Sequence, residues 1–176
     1  MLSSEFSAMF SSPLGFLHAR GSYQALTHLT FLSSTKATQE PDTPLPLEEQ
    51  PSWFSTLQQE LSHYFSGELS TFTVPLALEG TAFQKQVWQK LLEIPLGETR
   101  SYQELAMQVG GATYTRAVGL ANSLNPIAIL VPCHRVIGSD GELRGYAGGV
   151  ERKQQLLEIE GVELPSLRQL QLSLPL

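Results

Sequence analysis

Two helix-start signatures commit the second half of this chain to short helices. In Thr81-x-x-Gln84 and again in Ser101-x-x-Glu104, a hydroxyl and a side chain three residues on can each satisfy an orphan N–H of a first helical turn. After the first box, Phe83, Val87, Trp88 and Leu91 recur at helical spacing, and Pro95 stops the run. After the second come Leu105, Ala106 and Val109, and Gly110-Gly111 breaks the helix. Thr113 or Thr115 can cap a third helix from Arg116 to about Leu124, ended by Asn125-Pro126. Two short helices joined by a Gly-containing turn fit a helix-turn-helix, and the same spacing also fits any αα-hairpin. Beyond it, the apolar run Ile127–Val131 predicts a buried extended segment, and Pro132 fixes the chain just before Cys133. Gly138 to Gly149 holds five glycines in twelve residues and predicts a tight loop. Glu151–Glu160 predicts a last helix ending at Gly161, and the leucine-rich tail Val162–Leu176 is expected to pack back or fray.

The first half has a different rhythm. Leu14–Ala19 and Ala25–Leu32 are short aliphatic, aromatic and Thr-rich runs around Arg20-Gly21-Ser22, which predicts a β-hairpin. Ser33 to Pro51, with four prolines, predicts a loop. Ser52 is placed to cap a helix to about Ser66, with Trp53, Leu57, Leu61 and Tyr64 on one face and Gly67 at its end. Thr71–Leu76 is expected to be a further strand, at an edge because of Pro75. The fold class is therefore α/β (α+β): a small N-terminal α/β domain with an antiparallel sheet over residues 1–78, a helical, winged-helix-like domain with the helix-turn-helix over 79–165, and a tail over 166–176.

At 176 residues and 41% hydrophobic, the chain can bury a real core. Its single cysteine excludes an internal disulfide and a multi-thiolate zinc site. No apolar run approaches the roughly 20 residues that span a bilayer, and the first ten residues carry Glu5 but no Lys or Arg, unlike a signal peptide. A cytoplasmic protein without membrane contact is the expectation. The net charge of −6 is unevenly spread: residues 1–78 hold two Lys/Arg against seven acids, and residues 79–161 hold eight against nine. The near-neutral second half can present a local basic face, and DNA affinity scales with the phosphates contacted rather than with total charge.

The chemistry concentrates in Asn125-Pro-Ile-Ala-Ile-Leu-Val-Pro-Cys133-His134-Arg135-Val136. A lone cysteine is often a small buried hydrophobe. Beside a His and an Arg it is also a candidate nucleophile, because both residues favour the thiolate. Pro132-Cys133-His134-Arg135-Val136 resembles the active-site signature of the O6-alkylguanine-DNA alkyltransferases. Gly97-Glu98-Thr99-Arg100-Ser101-Tyr102, Arg116-Ala117-Val118-Gly119, Asn125-Pro126 and Gly145-Tyr146-Ala147-Gly148-Gly149 stand in that family's order and spacing. The likeness is strong over about 80–161 and looser over 1–78.

This resemblance implies a stoichiometric transfer of an alkyl group from O6-alkylguanine in double-stranded DNA to Cys133, with the base flipped out of the duplex. It implies His134 as a water-mediated base and Glu160 as the acid orienting it. Tyr102 would crowd the target phosphate and hydrogen-bond the base; Arg116 would fill the gap left in the duplex. Ala117, Gly119 and Ala121 would approach the minor groove, while Asn125, Leu143, Tyr146 and Ala147 would form the pocket. It implies no cofactor, no metal, no obligate protein partner, and a monomer. Three departures stand out: Arg144 and Ala147 replace residues common in the family, and Thr113-Tyr114-Thr115 is bulkier and less basic than usual. Relatives that lack the cysteine and only bind damage are excluded by Cys133. Two other classes remain open from the residues alone: a turning-over cysteine hydrolase on Cys133 and His134, and a non-enzymatic helix-turn-helix regulator. Neighbours in an extended chain face opposite ways, so the first would need an unusual turn at Cys133; the second would leave the Pro-Cys-His-Arg block idle.

Overall fold

The computed structural model describes residues 5–32 and 50–163. Most of the predicted loop after Ser33 and most of the tail lie outside the described residues. The chain divides into two compact units, one taking the described residues up to Gly80 together with Pro126–Leu130, the other Thr81–Asn125 with the described residues from Val131 onward.

The first unit is built on a three-stranded antiparallel sheet, β1 (Phe6–Ser12), β2 (Gly15–Gly21) and β3 (Leu26–Phe31), in the order β1-β2-β3. The predicted hairpin is β2–β3; β1 is a strand that the sequence reading left out. Its alternation is masked by Ser, Ala and Met, and only Phe10, opposite Leu17, is buried in it. Gly21 sits at a register shift where a Cβ would collide with the Ala25 carbonyl and meet the Trp53 ring at 2.9 Å, so the bulge needs glycine. Helix α1 (Ser52–Phe65) buries Trp53, Leu57, Leu61 and Tyr64, as the spacing predicts, and the Trp53 indole donates to the Ser22 carbonyl at 2.8 Å. Its N-cap is Pro51 rather than Ser52, which is already helical and makes no side-chain cap.

Two further expectations give way for the same reason: backbone groups found other partners than a ladder. Thr71–Leu76 is not a strand. The buried carboxylate of Glu60 takes the Thr73 N–H at 2.8 Å and the Thr73 hydroxyl at 2.5 Å, leaving a single bridge from Leu76 to Leu26. The apolar run Ile127–Val131 is buried but only briefly extended: Ile127 bridges Leu29, and the chain then turns through Ile129 at φ 71°. That conformation is rare for a β-branched residue, and a side chain only 1% exposed holds it there.

The second unit carries α2 (Ala82–Leu92), β4 (Arg100–Ser101), α3 (Tyr102–Val109), α4 (Thr115–Ser123), β5 (Val136–Ile137) and α5 (Val150–Ile159). Both capping boxes form in full. Helix α4 starts differently from expectation: a 3-10 turn, Ala112–Tyr114, runs straight into it, its N-cap is Tyr114, and Thr115 donates to the Ala112 carbonyl instead of capping. The Trp88 indole donates to the Ala121 carbonyl at 2.8 Å, tying α2 to α4. Strands β4 and β5 form a two-residue parallel pair, Arg100 with Val136 and Ser101 with Ile137. This pairing sets the residues before Tyr102 beside those after Arg135, and so positions the site.

Candidate active site

Pro132, at φ −81° and ψ 63°, breaks the chain direction, and Cys133–Arg135 form a single 3-10 turn. The Cys133 N–H donates to the Val131 carbonyl at 2.8 Å and the Arg135 N–H to Pro132 at 3.0 Å. Two asparagines at the end of α4 brace this turn. Asn125 Nδ2 donates to the Val131 carbonyl at 2.7 Å, and Asn122 Nδ2 to the Cys133 carbonyl at 3.3 Å. Cys133, His134 and Arg135 are all buried.

Burying two ionisable side chains next to a thiol is costly unless each is paired. Glu160, the C-cap of α5, supplies the pairing. One carboxylate oxygen accepts from His134 Nε2 at 2.8 Å and Arg135 Nη2 at 2.9 Å; the other accepts from Arg135 Nε at 2.7 Å. Arg135 Nη1 also donates to the Ile94 carbonyl at 2.6 Å. Burial alone would raise the Glu160 pKa, but the hydrogen bonds and charges of His134 and Arg135 outweigh it and bring it down to about 2. His134 is pulled the other way. Burial lowers its pKa more than Glu160 raises it, so the ring is neutral at pH 7. A neutral ring facing a carboxylate carries its proton on Nε2 and leaves Nδ1 as an acceptor. That Nδ1 atom is buried and has no hydrogen-bond partner among the described residues.

The thiol differs from expectation. Burial raises its pKa, against smaller lowering effects from an Asn125 hydrogen bond and the charge of Lys153. Arg135, whose place in the chain predicts that it favours the thiolate, is instead committed to Glu160. In the resting site Cys133 is therefore a protonated thiol at neutral pH.

Tyr102 opens α3, and its hydroxyl donates to the Arg144 carbonyl at 3.2 Å. Its pKa is raised by burial first and by Cys133 second, which keeps it a hydrogen-bond donor. The predicted glycine loop follows β5 and brings Leu143, Tyr146 and Ala147 to this end of the unit. Leu143 packs on Ile137 and Leu157, the Tyr146 hydroxyl is buried without a partner among the described residues, and Ala147 is exposed. Arg144 pairs with Asp140 across the loop. On α4, Arg116 and Ala117 are exposed and Gly119 is half-buried, its position for a Cβ 3.9 Å from the Tyr102 ring. Ala121 does not share that surface. It is 2% exposed, because the α4–α2 contact claims it, while Leu120 on the helix (61%) and Leu124 at its C-cap (51%) stand exposed.

Two residues at the site escaped the sequence reading: Asn122 and Lys153. Lys153 is fully buried and its Nζ donates to the Arg144 carbonyl at 2.9 Å. A signal for it exists: Lys153, Leu156, Leu157 and Glu160 are buried at i, i+3, i+4, i+7, so a cation occupies an apolar position of an amphipathic helix. Among the described residues no cluster of His, Cys, Asp and Glu is arranged to hold a metal ion, and no helix is long and apolar enough to cross a membrane.

A buried cysteine on a tight turn, backed by a His–Glu–Arg network and flanked by a helix-turn-helix, defines a class of protein that does cysteine chemistry next to a DNA-binding motif. Comparison with known proteins narrows the class. Residues 6–78 match the model of the 6-O-methylguanine DNA methyltransferase ribonuclease-like domain, and residues 82–162 that of the 6-O-methylguanine DNA methyltransferase DNA-binding domain. The chain is 49% identical to a methylated-DNA--protein-cysteine methyltransferase of Methanosarcina acetivorans, over 88% of this chain and 97% of that protein. It is 50% identical to the one of Mycobacterium tuberculosis, over 88% and 92%. Among solved structures it is similar to the M. tuberculosis O6-methylguanine methyltransferase (TM-score 0.75, 44% identity, 95% of this chain and 99% of that one). It is also similar to M. tuberculosis OGT in complex with DNA (TM-score 0.75, 50% identity, 86% and 90%). The chain belongs to the 6-O-methylguanine DNA methyltransferase family.

Proposed function

We propose that this protein repairs O6-alkylguanine in double-stranded DNA by moving the alkyl group to Cys133, once per molecule. The observation that carries the reading is the His134–Glu160–Arg135 network behind a buried thiol. Glu160 fixes the His134 tautomer, and the free Nδ1 acceptor takes the thiol proton through a bridging water. The imidazolium so formed is held by the Glu160 carboxylate. The thiolate sulfur attacks the alkyl carbon, forming the S–C bond as the C–O6 bond breaks. Guanine takes up one proton, so the net exchange is S–H and C–O for S–C and N–H. Tyr102, held un-ionised, donates a hydrogen bond to the departing purine, which lowers the cost of its developing negative charge. A thioether at Cys133 carries no activated leaving group, so the protein is spent.

The base reaches this site only by leaving the stack, at a cost of a few kcal/mol. Arg116, exposed at the start of α4, fills the gap in the duplex, and the Ala117–Gly119 face lies close to the minor groove. Asn125 braces the nucleophile turn, and Leu143, Tyr146 and Ala147 form the pocket wall. The second unit does the binding and transfer, and the first unit supports it. The protein acts as a monomer, without cofactor or obligate protein partner, in the compartment that holds the DNA, the cytoplasm in a cell without a nucleus.

The test is intact mass after mixing with a duplex carrying O6-methylguanine. One methyl group per molecule in place of the thiol hydrogen, located at Cys133 by peptide mapping, is expected. Sustained release of product over many turnovers favours a hydrolase and overturns the proposal.

A further inference from the structure

One carbonyl in the glycine loop is bonded twice. The Arg144 oxygen accepts from Tyr102 Oη at 3.2 Å and from Lys153 Nζ at 2.9 Å. The two bonds are unequal. A hydroxyl donor usually sits about 2.7–2.8 Å from its acceptor, so the Tyr102 bond is long and weak. The Lys153 bond has the length of a charge-assisted N–H···O contact, roughly 2.7–2.9 Å, of the stronger kind. Burying a lysine opposes its charge, and Lys153 is fully buried, with its Nζ 5.7 Å from the centre of the Tyr102 ring. A cation kept there at such cost calls for a task that a leucine could not perform.

The surrounding loop needs an anchor. Gly141, Gly145 and Gly149 all take positive φ, and glycines bring no side chains to pack. Leu143 fixes one side against Ile137 and Leu157, and the Arg144 carbonyl ties the next residue to α3 and α5.

We propose that Lys153 is a positioning residue that holds the Arg144 carbonyl, and with it the substrate-binding loop, while Tyr102 gives up that carbonyl to hydrogen-bond the purine. A carbonyl oxygen has two acceptor sites, so the loop keeps one strong tie when the weak one is released. The exchange makes Tyr102 available without loosening the wall that confines the base. The second half of the proposal rests on the alkylguanine reading above; the anchoring of the loop by Lys153 does not.

The experiment separates the two. Arg144 is exposed, so trypsin cuts after it at a rate set by how freely the loop opens; Arg116, on α4 of the same unit, serves as the internal control. Loss of a hydrogen bond to a charged group should speed cleavage after Arg144 about 10-fold or more in Lys153→Met, and loss of the long neutral bond in Tyr102→Phe by no more than about 3-fold. Lys153→Arg should restore slow cleavage. Equal acceleration at Arg116 and Arg144 would show that Lys153 holds the whole unit, and unchanged cleavage after Arg144 would show that it holds nothing; either overturns the anchoring. A second arm uses free O6-benzylguanine. Lys153→Met should raise the half-saturating concentration about 10-fold, a larger effect than on the limiting rate, and Lys153→Arg should recover it. A fall in limiting rate alone would make Lys153 a counter-charge to the thiol and overturn the positioning role. No reaction even in the unsubstituted protein would sink the alkylguanine reading while leaving the proteolysis result standing.

Discussion

Glu160→Gln is the substitution whose consequence can be worked furthest. The carboxylate has no exposed surface and receives three N–H groups, one from His134 and two from Arg135. A glutamine keeps one oxygen, but its NH2 group replaces the other and points donors at a donor. Arg135 is left as a buried cation without its counter-charge. Breaking one side of a buried ion pair costs about 3–5 kcal/mol. The titration leads to the same range. A carboxylate moved from 4.5 to about 2 contributes roughly 3 kcal/mol, at about 1.4 kcal/mol per unit. Because the folded pKa is depressed, this contribution is complete above pH 4.5 and fades as pH falls towards 2. Urea unfolding of the two proteins should thus differ by about 3 kcal/mol at pH 7, and the gap should close progressively below pH 4.5. A difference under about 1 kcal/mol at pH 7, the range of an exposed pair, or a gap that stays constant down to pH 2, would refute the reasoning.

Other substitutions divide chemistry from recognition. Cys133→Ala should abolish alkyl transfer in the intact-mass assay while duplex affinity, measured by fluorescence anisotropy, stays within about 3-fold, the scale of one small side chain. Arg116→Ala should slow repair of duplex DNA by about 10-fold or more, a base-extrusion cost of a kcal/mol or so, and leave the rate with free O6-benzylguanine nearly unchanged; equal losses on both would contradict the assigned role. At Gly119 there is room for a methyl group 3.9 Å from the Tyr102 ring, so Gly119→Ala should retain both reactions. Gly119→Leu should press on Tyr102 and depress both, and a loss confined to duplex DNA would show that the groove alone limits this position.

What the sequence made legible was mostly local. Both capping boxes, the α1 stripe of Trp53, Leu57, Leu61 and Tyr64, and the β2–β3 hairpin follow from spacing alone, and all formed. The misses share a cause: a long-range partner decided the local conformation. Thr71–Leu76 has strand-like residues, yet the side chain of Glu60, thirteen residues before Thr73, takes the N–H groups a ladder would need. Ile127–Val131 has the composition of a buried strand, yet burial alone does not specify extension, and Ile129 turns instead. Within the site, the Pro-Cys-His-Arg block marked the candidate nucleophile. Its protonation did not show, because a thiol pKa depends on what surrounds it: Arg135 stands two residues from Cys133 in the chain but spends its charge on Glu160, and burial decides the outcome.

That protonation fits a reagent used once. A thiolate exposed to the cell would be consumed by any electrophile, or oxidised, before it met damaged DNA. A buried thiol with a raised pKa is protected from both. The cost is that the nucleophile must be generated on demand; in the proposed mechanism this falls to a neutral His134 with a free Nδ1 acceptor, with the ionised Glu160 stabilising the imidazolium. The proton need not go to bulk solvent, since the leaving guanine takes up one proton for each thiol that gives one up. In the proposed reaction, deprotonation, displacement and reprotonation of the purine therefore balance, and reactivity is confined to molecules that reach the buried thiol.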